Sequence, residues 1–336
     1  MKKILVTGGL GFIGSHTVVE LQNAGFEVII IDNLSNTTID VLENITSITE
    51  IKPKYHNIDL RNKKDVQQFF ETTKVDGIIH FAAYKAVGES VNKPLDYYEN
   101  NIGSLIYLLQ EIKERDLDNF IFSSSCTVYG QADELPITEN APIKPAESPY
   151  GNTKQIGEEI IHESCNAYGL NAIALRYFNP IGGHDSVKIG ELPLGVPQNL
   201  IPFITQTAVG IRKELSVFGD DYPTIDGTAV RDYIHVVDLA KAHIAALQRL
   251  INKKNNKNFE YFNVGTGTGS SVLEVITAFE KVSGKKLNYK IVGRRAGDIT
   301  AAYADTTIAN KELQWKTEKS LEEALDRAWK WQLKQI

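Results

Sequence analysis

Short apolar runs alternate with longer, helically patterned segments along the first 180 residues. Lys3 to Thr7 and Glu27 to Ile31 flank an amphipathic stretch from Phe12 to Asn23, a strand, helix, strand opening. Gly77 to Phe81, Asn119 to Ser123 and Asn171 to Leu175 are continuously apolar rather than alternating. Such strands belong to parallel sheets whose two faces are both covered by helices. The pattern predicts an α/β fold with a doubly wound parallel sheet. After Asn179-Pro180-Ile181-Gly182-Gly183 the chain becomes punctuated by Gly and Pro as far as Pro202. Helical patterns resume at Val236 to Leu250, Ser271 to Ser283 and Ser320 to Leu333, with a strand at Phe259 to Val264. A smaller C-terminal α/β substrate lobe is expected there. The division falls at residues 1–180 and 181–336, with some later segments returning to the first part.

Composition narrows the partners. The chain has 336 residues, 42% of them hydrophobic and 23% charged, an ordinary globular mixture with ample length for a core. Its net charge is −6, and its only basic clump, Lys253, Lys254 and Lys257, lies among asparagines. A nucleic-acid partner is therefore not expected, because phosphate backbones call for concentrated Lys and Arg. Two cysteines, Cys126 and Cys165, form no Cys-x-x-Cys spacing and suit a reducing compartment. The apolar run Ile4 to Val6 is too short for a secretion signal, and nothing approaches the ~18 to 20 apolar residues of a membrane span. Cytoplasmic residence without membrane association is the expectation. The seven histidines include no HExxH pair, so no metal centre is expected.

The first strand runs into Gly8-Gly9-Leu10-Gly11-Phe12-Ile13-Gly14 and then a helix. Residues without Cβ atoms permit the tight turn and let backbone N–H groups approach a pyrophosphate at the positive end of that helix. The second strand ends in Asp32, 18 residues after Gly14, where an acid binds adenosine ribose hydroxyls. This is the dinucleotide fingerprint of a Rossmann-type sheet. A carboxylate at Asp32 repels a 2′-phosphate, and no Lys or Arg occurs from Asn33 through Ile51 to accept one, so NAD is favoured over NADP. Asp59 suits either the adenine amino group or a strand-end cap.

Tyr150 and Lys154 are four residues apart at the start of a helical pattern running to Tyr168, so they share a face. A phenol of pKa ~10 is a poor base at neutral pH, and a nearby cation favours its phenolate. Ser123-Ser124-Ser125-Cys126-Thr127 opens from the end of a sheet strand, where α/β sheets bind ligands. A hydroxyl there can hold a substrate oxygen beside Tyr150. A second Gly-rich turn, Gly265-Thr266-Gly267-Thr268-Gly269, lacks the Lys of a phosphate loop and suits a plain turn or a lining of the substrate lobe.

With the glycine fingerprint, Asp32, the serine strand and Tyr-x-x-x-Lys in this order, the chain resembles the extended short-chain dehydrogenase/reductase family. Four further stretches make it similar, within that family, to the UDP-galactose 4-epimerases: His80 to Ser90, Tyr97 to Asn101, Arg176 to Pro180 and Asp226 to Val236. The resemblance covers essentially the whole chain. It implies a homodimer that holds NAD and interconverts UDP-hexoses at C4 through transient hydride transfer and a 4-keto sugar. It implies that Tyr150 is the base, that Lys154 lowers its pKa and binds the nicotinamide ribose, and that Ser125 orients the 4-oxygen. The cofactor contacts it implies are Gly8, Gly11, Phe12, Ile13, Gly14, Asp32, Asn33, Asp59, Leu60, Phe81, Lys85, Asn100, Tyr150, Lys154 and Phe178. For the UDP-sugar it implies Ser125, Asn179, Asn199, Leu200, Phe218, Arg231, Tyr233, Arg295, Asp298 and Ala302. Ion pairing, of Arg231 with Asp232 and of Arg295 with Asp298, is the competing reading of the two arginines.

Three residues depart from the family pattern. Leu10 stands where a small turn residue is usual, Ser104 where a helix glycine is usual, and Ala302 where a large residue excludes a sugar N-acetyl group. Alanine there implies that UDP-N-acetylhexoses are also accepted. A nucleotide-sugar dehydratase of the same family is the alternative enzyme, but it needs Asp-Glu after the active-site Thr, and Val128-Tyr129 follows Thr127. A dinucleotide-sensing regulator is the non-enzymatic alternative; it has no need of Ser125, Tyr150 and Lys154 together.

Overall fold

The computed structural model describes residues 1–295 and 298–336. Fourteen strands and twelve α-helices are described. The strands are β1 Lys3–Thr7, β2 Glu27–Asp32, β3 Lys54–Asn57, β4 Gly77–His80, β5 Phe120–Ser125, β6 Ala172–Tyr177, β7 Asn179–Ile181, β8 Leu215–Phe218, β9 Val230–Arg231, β10 Tyr233–His235, β11 Phe259–Val264, β12 Ser270–Ser271, β13 Tyr289–Val292 and β14 Ala301–Ala302. The helices are α1 Phe12–Asn23, α2 Asp40–Thr49, α3 Lys63–Thr72, α4 Val87–Asn92, α5 Pro94–Tyr98, α6 Ser104–Glu114, α7 Pro149–Tyr168, α8 Leu200–Ala208, α9 Val236–Ile251, α10 Val272–Ser283, α11 Thr307–Glu312 and α12 Leu321–Leu333.

Seven parallel strands form one sheet in the order β11-β6-β5-β4-β1-β2-β3. The two-residue period of a strand explains why the inner strands β1, β2, β4, β5 and β6 carry apolar residues on both faces, whereas edge strand β3, Lys54–Asn57, is exposed or half-buried. Ile4, Val6, Val28, Ile30, Ile79, Ile121 and Ile173 face α1, α2 and α9. Their neighbours Leu5, Ile29, Ile31, Ile78, Phe120, Phe122 and Ala172 face α3, α6 and α7. The chain reverses direction of winding between β1 and β4, and the crevice at their carboxyl ends is where such sheets take ligands.

The chain crosses back into this body after residue 180. Strand β11 pairs with β6 from Phe259↔Ala172 to Val264↔Tyr177, and α9 lies against α1. The smaller lobe has its own core, in which Ile201, Ile204, Leu215, Val217, Phe279 and Trp329 are buried. Its short strands pair β7 with β10 and β9 with β12 and β14, and β7 follows directly on β6 of the large sheet. Helix α10 begins with a full capping box, Ser271 with Glu274, and α12 with another, Ser320 with Glu323. Among the described residues no helix is long and apolar enough to cross a membrane.

Candidate active site

The glycine loop is shaped by what a side chain would strike. Gly8 has φ +69°, and a Cβ on it would lie 2.8 Å from the Ala82 nitrogen at the end of β4. A Cβ on Gly14 would collide with the Gly8 carbonyl. The loop therefore hugs both the sheet and the first turn of α1, and Gly11 caps that helix with no side-chain bond. The first-turn N–H groups of Phe12, Ile13 and Gly14 have no intrahelical acceptor, which makes this helix end a ready anion cradle. This arrangement fits a dinucleotide pyrophosphate.

Asp32 closes the cradle. Its carboxylate is 8% exposed and accepts the Leu10 N–H at 3.1 Å and the Leu34 N–H at 2.9 Å, with burial raising its pKa above the usual carboxylate range. Leu10, the unusual turn residue, is 1% exposed in the core, so its bulk leaves the loop free. Asn33 donates to Asp59 at 3.2 Å, and Asp59 is gripped by Arg61, which holds its carboxyl down at about 2. Leu60 and the Phe178 ring are buried, and the Phe81 ring packs 4.7 Å from that of His243. Ser104 donates to the Asn100 carbonyl at 2.5 Å across a π-turn spanning Glu99–Gly103.

Helix α7 starts at a designed boundary. Ser148 accepts the Gly151 N–H at 3.1 Å and Pro149 sits at the first helical position, which sets the phase that turns Tyr150 and Lys154 to β5. Lys154 Nζ donates to the Ser123 carbonyl at 2.7 Å and lies 5.8 Å from the Tyr150 ring centre. Burial lowers its pKa to about 8. Ser125 is 7% exposed, and its Oγ accepts the Thr127 N–H at 3.2 Å. The sequence implied a Tyr150 of lowered pKa. In the protein alone burial wins and holds the phenol up at about 12, with the neighbouring Ser125 hydroxyl pulling it down.

Of the residues expected on the substrate side, Asn179 and Tyr233 are direct partners in the β7 and β10 register, and Ala302 faces Arg231 across β14 and β9. Arg231 Nη2 lies 2.5 Å from Asp298, and Arg295 Nη2 lies 3.5 Å from the other oxygen of the same carboxylate. Arg295 also stands over the Phe218 ring at 5.7 Å. The pairing of Arg231 with Asp232 does not occur. Asp232 is fully buried and receives the N–H groups of Thr266, Gly267 and Ala304 and the Thr266 hydroxyl. The second Gly-rich turn thus wraps a carboxylate of the protein's own, and a Cβ on Gly265 would strike it. Asn199, just before Leu200 and α8, donates to Glu191 at 2.7 Å, and Lys85 reaches the same oxygen at 3.4 Å. Ala302 is 2% exposed beside Val128, Phe178 and Cys126.

Three residues escaped the sequence reading. Asn101 accepts the Tyr84 N–H at 2.8 Å and donates to Thr153 at 3.1 Å, tying the loop after β4 to α7. Glu191 joins Lys85 to Asn199. Glu158 receives Arg176 Nη2 at 2.5 Å and the Ser124 hydroxyl at 2.5 Å in the buried layer behind the site. Its signal was present: Tyr150, Lys154 and Glu158 form one i, i+4, i+8 stripe, and Arg176 is a charge inside an apolar strand that demands a buried partner. Among the described residues no cluster of three or more His, Cys, Asp or Glu side chains is arranged to hold a metal ion.

Residues 5–328 match the family model described as GDP-mannose 4,6 dehydratase. The UDP-glucose 4-epimerase of Drosophila melanogaster is 48% identical over 336 residues, covering 98% of this chain and 96% of that protein. The chain belongs to the UDP-glucose 4-epimerase family. Solved members agree in fold: the enzyme from Stenotrophomonas maltophila with bound NAD and formylated UDP-arabinopyranose superposes with a TM-score of 0.96 at 44% identity, over 100% of this chain and 99% of that one. The family's enzyme from Bifidobacterium longum in complex with NAD+ and UDP gives 0.95 at 46% identity, over 99% and 98%. The epimerase family, rather than its dehydratase relatives, also accounts for the residues after Thr127. Val128 and Tyr129 are both fully buried, and the Tyr129 hydroxyl is spent on Asn263 and Arg176.

Proposed function

We propose that the chain interconverts UDP-glucose and UDP-galactose by inverting the sugar at C4, with NAD as its resident cofactor. The observation that carries this reading is the meeting of Ser125, Tyr150 and Lys154 at the carboxyl end of β5, next to a glycine cradle closed by Asp32. Gly8, Gly11, Phe12, Ile13 and Gly14 would hold the pyrophosphate of NAD, Asp32 and Asn33 its adenosine ribose, with Asp59 and Leu60 lining the adenine. Phe81, Lys85, Asn100, Lys154 and Phe178 would surround its nicotinamide half. Bound NAD supplies a hydride acceptor and donor for C4 and a positive ring whose charge favours the Tyr150 phenolate.

The protein's own groups do the rest. Tyr150 takes the proton of the sugar 4-hydroxyl while Ser125 holds that oxygen, and Lys154 contributes a fixed positive charge. The flat 4-keto sugar turns over, and Tyr150 returns the proton to the opposite stereochemical product. Arg231 and Arg295 suit the UDP pyrophosphate because guanidinium forks match phosphate oxygens. Asn179, Asn199, Leu200, Phe218, Tyr233 and Asp298 line the nucleotide around them. The alanine at position 302 leaves room at the sugar 2-position, so UDP-N-acetylglucosamine and UDP-N-acetylgalactosamine are substrates as well.

The same family reading carries a homodimer and cytoplasmic residence. Exposed Val87, Val91 and Leu95 on α4 and α5 support a partner surface, and the two unpaired thiols suit a reducing compartment. Proton NMR of the purified protein with UDP-galactose and, separately, UDP-N-acetylgalactosamine, without added NAD, tests the proposed activity. Conversion of both is expected. Conversion of UDP-galactose alone would remove the N-acetyl reading, and conversion of neither, even with NAD supplied, would remove the epimerase reading.

A further inference from the structure

Lys154 is 4% exposed, and a lysine that deep gives up its proton unless something holds the charge. Its surroundings on α7 are Tyr150 above it and Glu158 one turn below. From β5 it meets the Ser123 carbonyl at 2.7 Å and the Phe122 ring at 5.0 Å. From β4 it meets His80, a neutral imidazole because burial lowers its pKa to about 3. From β6 come Tyr177, bonded to Ser123 Oγ, and Arg176. Glu158 is the one carboxylate in this group.

That carboxylate is itself fixed. Arg176 Nε donates to it at 2.9 Å and Nη2 at 2.5 Å, and Ser124 Oγ donates at 2.5 Å. Arg176 is held in turn by the Tyr129 hydroxyl at 3.0 Å and lies 4.0 Å over the Tyr261 ring. Lys154 and Glu158 therefore grip consecutive residues of β5, Ser123 and Ser124, directly before Ser125. We propose that Glu158 is a positioning residue that keeps Lys154 a fixed, charged ammonium beside Tyr150, with Ser124 and Arg176 setting its carboxylate. This deepens the epimerase reading and rests on it. The Glu158 charge favours protonated Lys154 against the burial that disfavours it.

The test is a pH titration of the NAD-loaded protein labelled with 13C at lysine Cε, the Lys154 signal being assigned by its loss in Lys154→Met. In Glu158→Gln the Lys154 midpoint should fall by about one pH unit, and in Arg176→Met, which leaves the carboxylate unopposed, it should rise. The alkaline limb of kcat for UDP-galactose should move in the same two directions with KM little changed. Should Glu158→Gln fold poorly around an unpaired guanidinium, Glu158→Gln/Arg176→Met removes both charges and should still lower the midpoint. Midpoints that stay put, or that move the same way in both single variants, would overturn the proposal and leave the pair a structural one. The titration needs no substrate, so it is read independently of wild-type turnover, whose absence would sink the epimerase reading instead.

Discussion

Lys154 on α7 reaches the backbone carbonyl of Ser123 on β5, two residues before Ser125. One 2.7 Å hydrogen bond thereby fixes the distance between the helix that carries Tyr150 and the strand that carries Ser125. Lys154→Met should lower kcat by roughly 100-fold or more, because charge and spacing go together. Tyr150→Phe should lower it comparably while leaving bound NAD, read by absorbance of the denatured supernatant, at the wild-type level.

Gly14→Ala tests the cradle. Its methyl group would have to displace the Gly8 carbonyl. The variant should purify with far less NAD and lose about 2 kcal/mol of stability in urea unfolding. Full loading at unchanged stability would show that the loop yields.

Asp298 is shared by Arg231 and Arg295, 2.5 Å from one and 3.5 Å from the other. Arg231→Met should raise the inhibition constant of UDP about tenfold or more, since a charge-assisted fork to phosphate is lost. Asp298→Asn frees both guanidinium groups and should alter UDP binding without touching bound NAD, as equilibrium dialysis with labelled UDP would report.

Acid should unfold the protein early. Burial depresses the pKa of His16 and His80 to about 3 and of His235 and His243 to about 4, so the folded chain refuses protons that the unfolded chain takes up near ~6.5. Stability is full above that value and drains as pH falls towards the depressed ones. The melting temperature should therefore decline between about pH 6.5 and 4. In His243→Phe the decline should be shallower by one proton's worth, measured by calorimetry across that range.

Ala302→Tyr should abolish turnover of UDP-N-acetylgalactosamine while UDP-galactose is still converted. An unchanged ratio of the two rates would mean that the wall is set by Phe178 or Cys126, which pack in the same cluster.

The parts of the site made of short contiguous motifs were legible in the chain. Gly8 to Gly14, Asp32, Ser125 and the Tyr150 and Lys154 pair each announce their geometry within one strand-to-helix turn or one helical turn. The inner strands of the large sheet were legible because strands covered on both faces read as unbroken apolar runs, whereas edge strand β3, Lys-Tyr-His-Asn at 54–57, carries no such run. What stayed hidden depends on contacts between distant segments. Arg231 is followed in sequence by Asp232, yet folding sends Asp232 into a nest of backbone N–H groups from Thr266, Gly267 and Ala304, and Asp298 arrives from 67 residues away to take the arginine. Tyr150 was read as an acidified phenol from its helical neighbour alone, whereas the burial that opposes this comes from the whole fold. Asn101 lies in the Tyr97 to Asn101 stretch and Glu191 in no local pattern, and the roles of both emerge only when distant loops meet.

Strand β11 reaches its place beside β6 more than eighty residues after β6 itself, once the chain has laid down most of the smaller lobe. During synthesis the large sheet therefore leaves the ribosome with the edge of β6 bare, a row of unpaired amides and carbonyls next to α7. A shortened chain ending near residue 180 should share that exposure permanently and self-associate rather than fold alone. The late-arriving strand makes the large-sheet body dependent on the sequence that follows it.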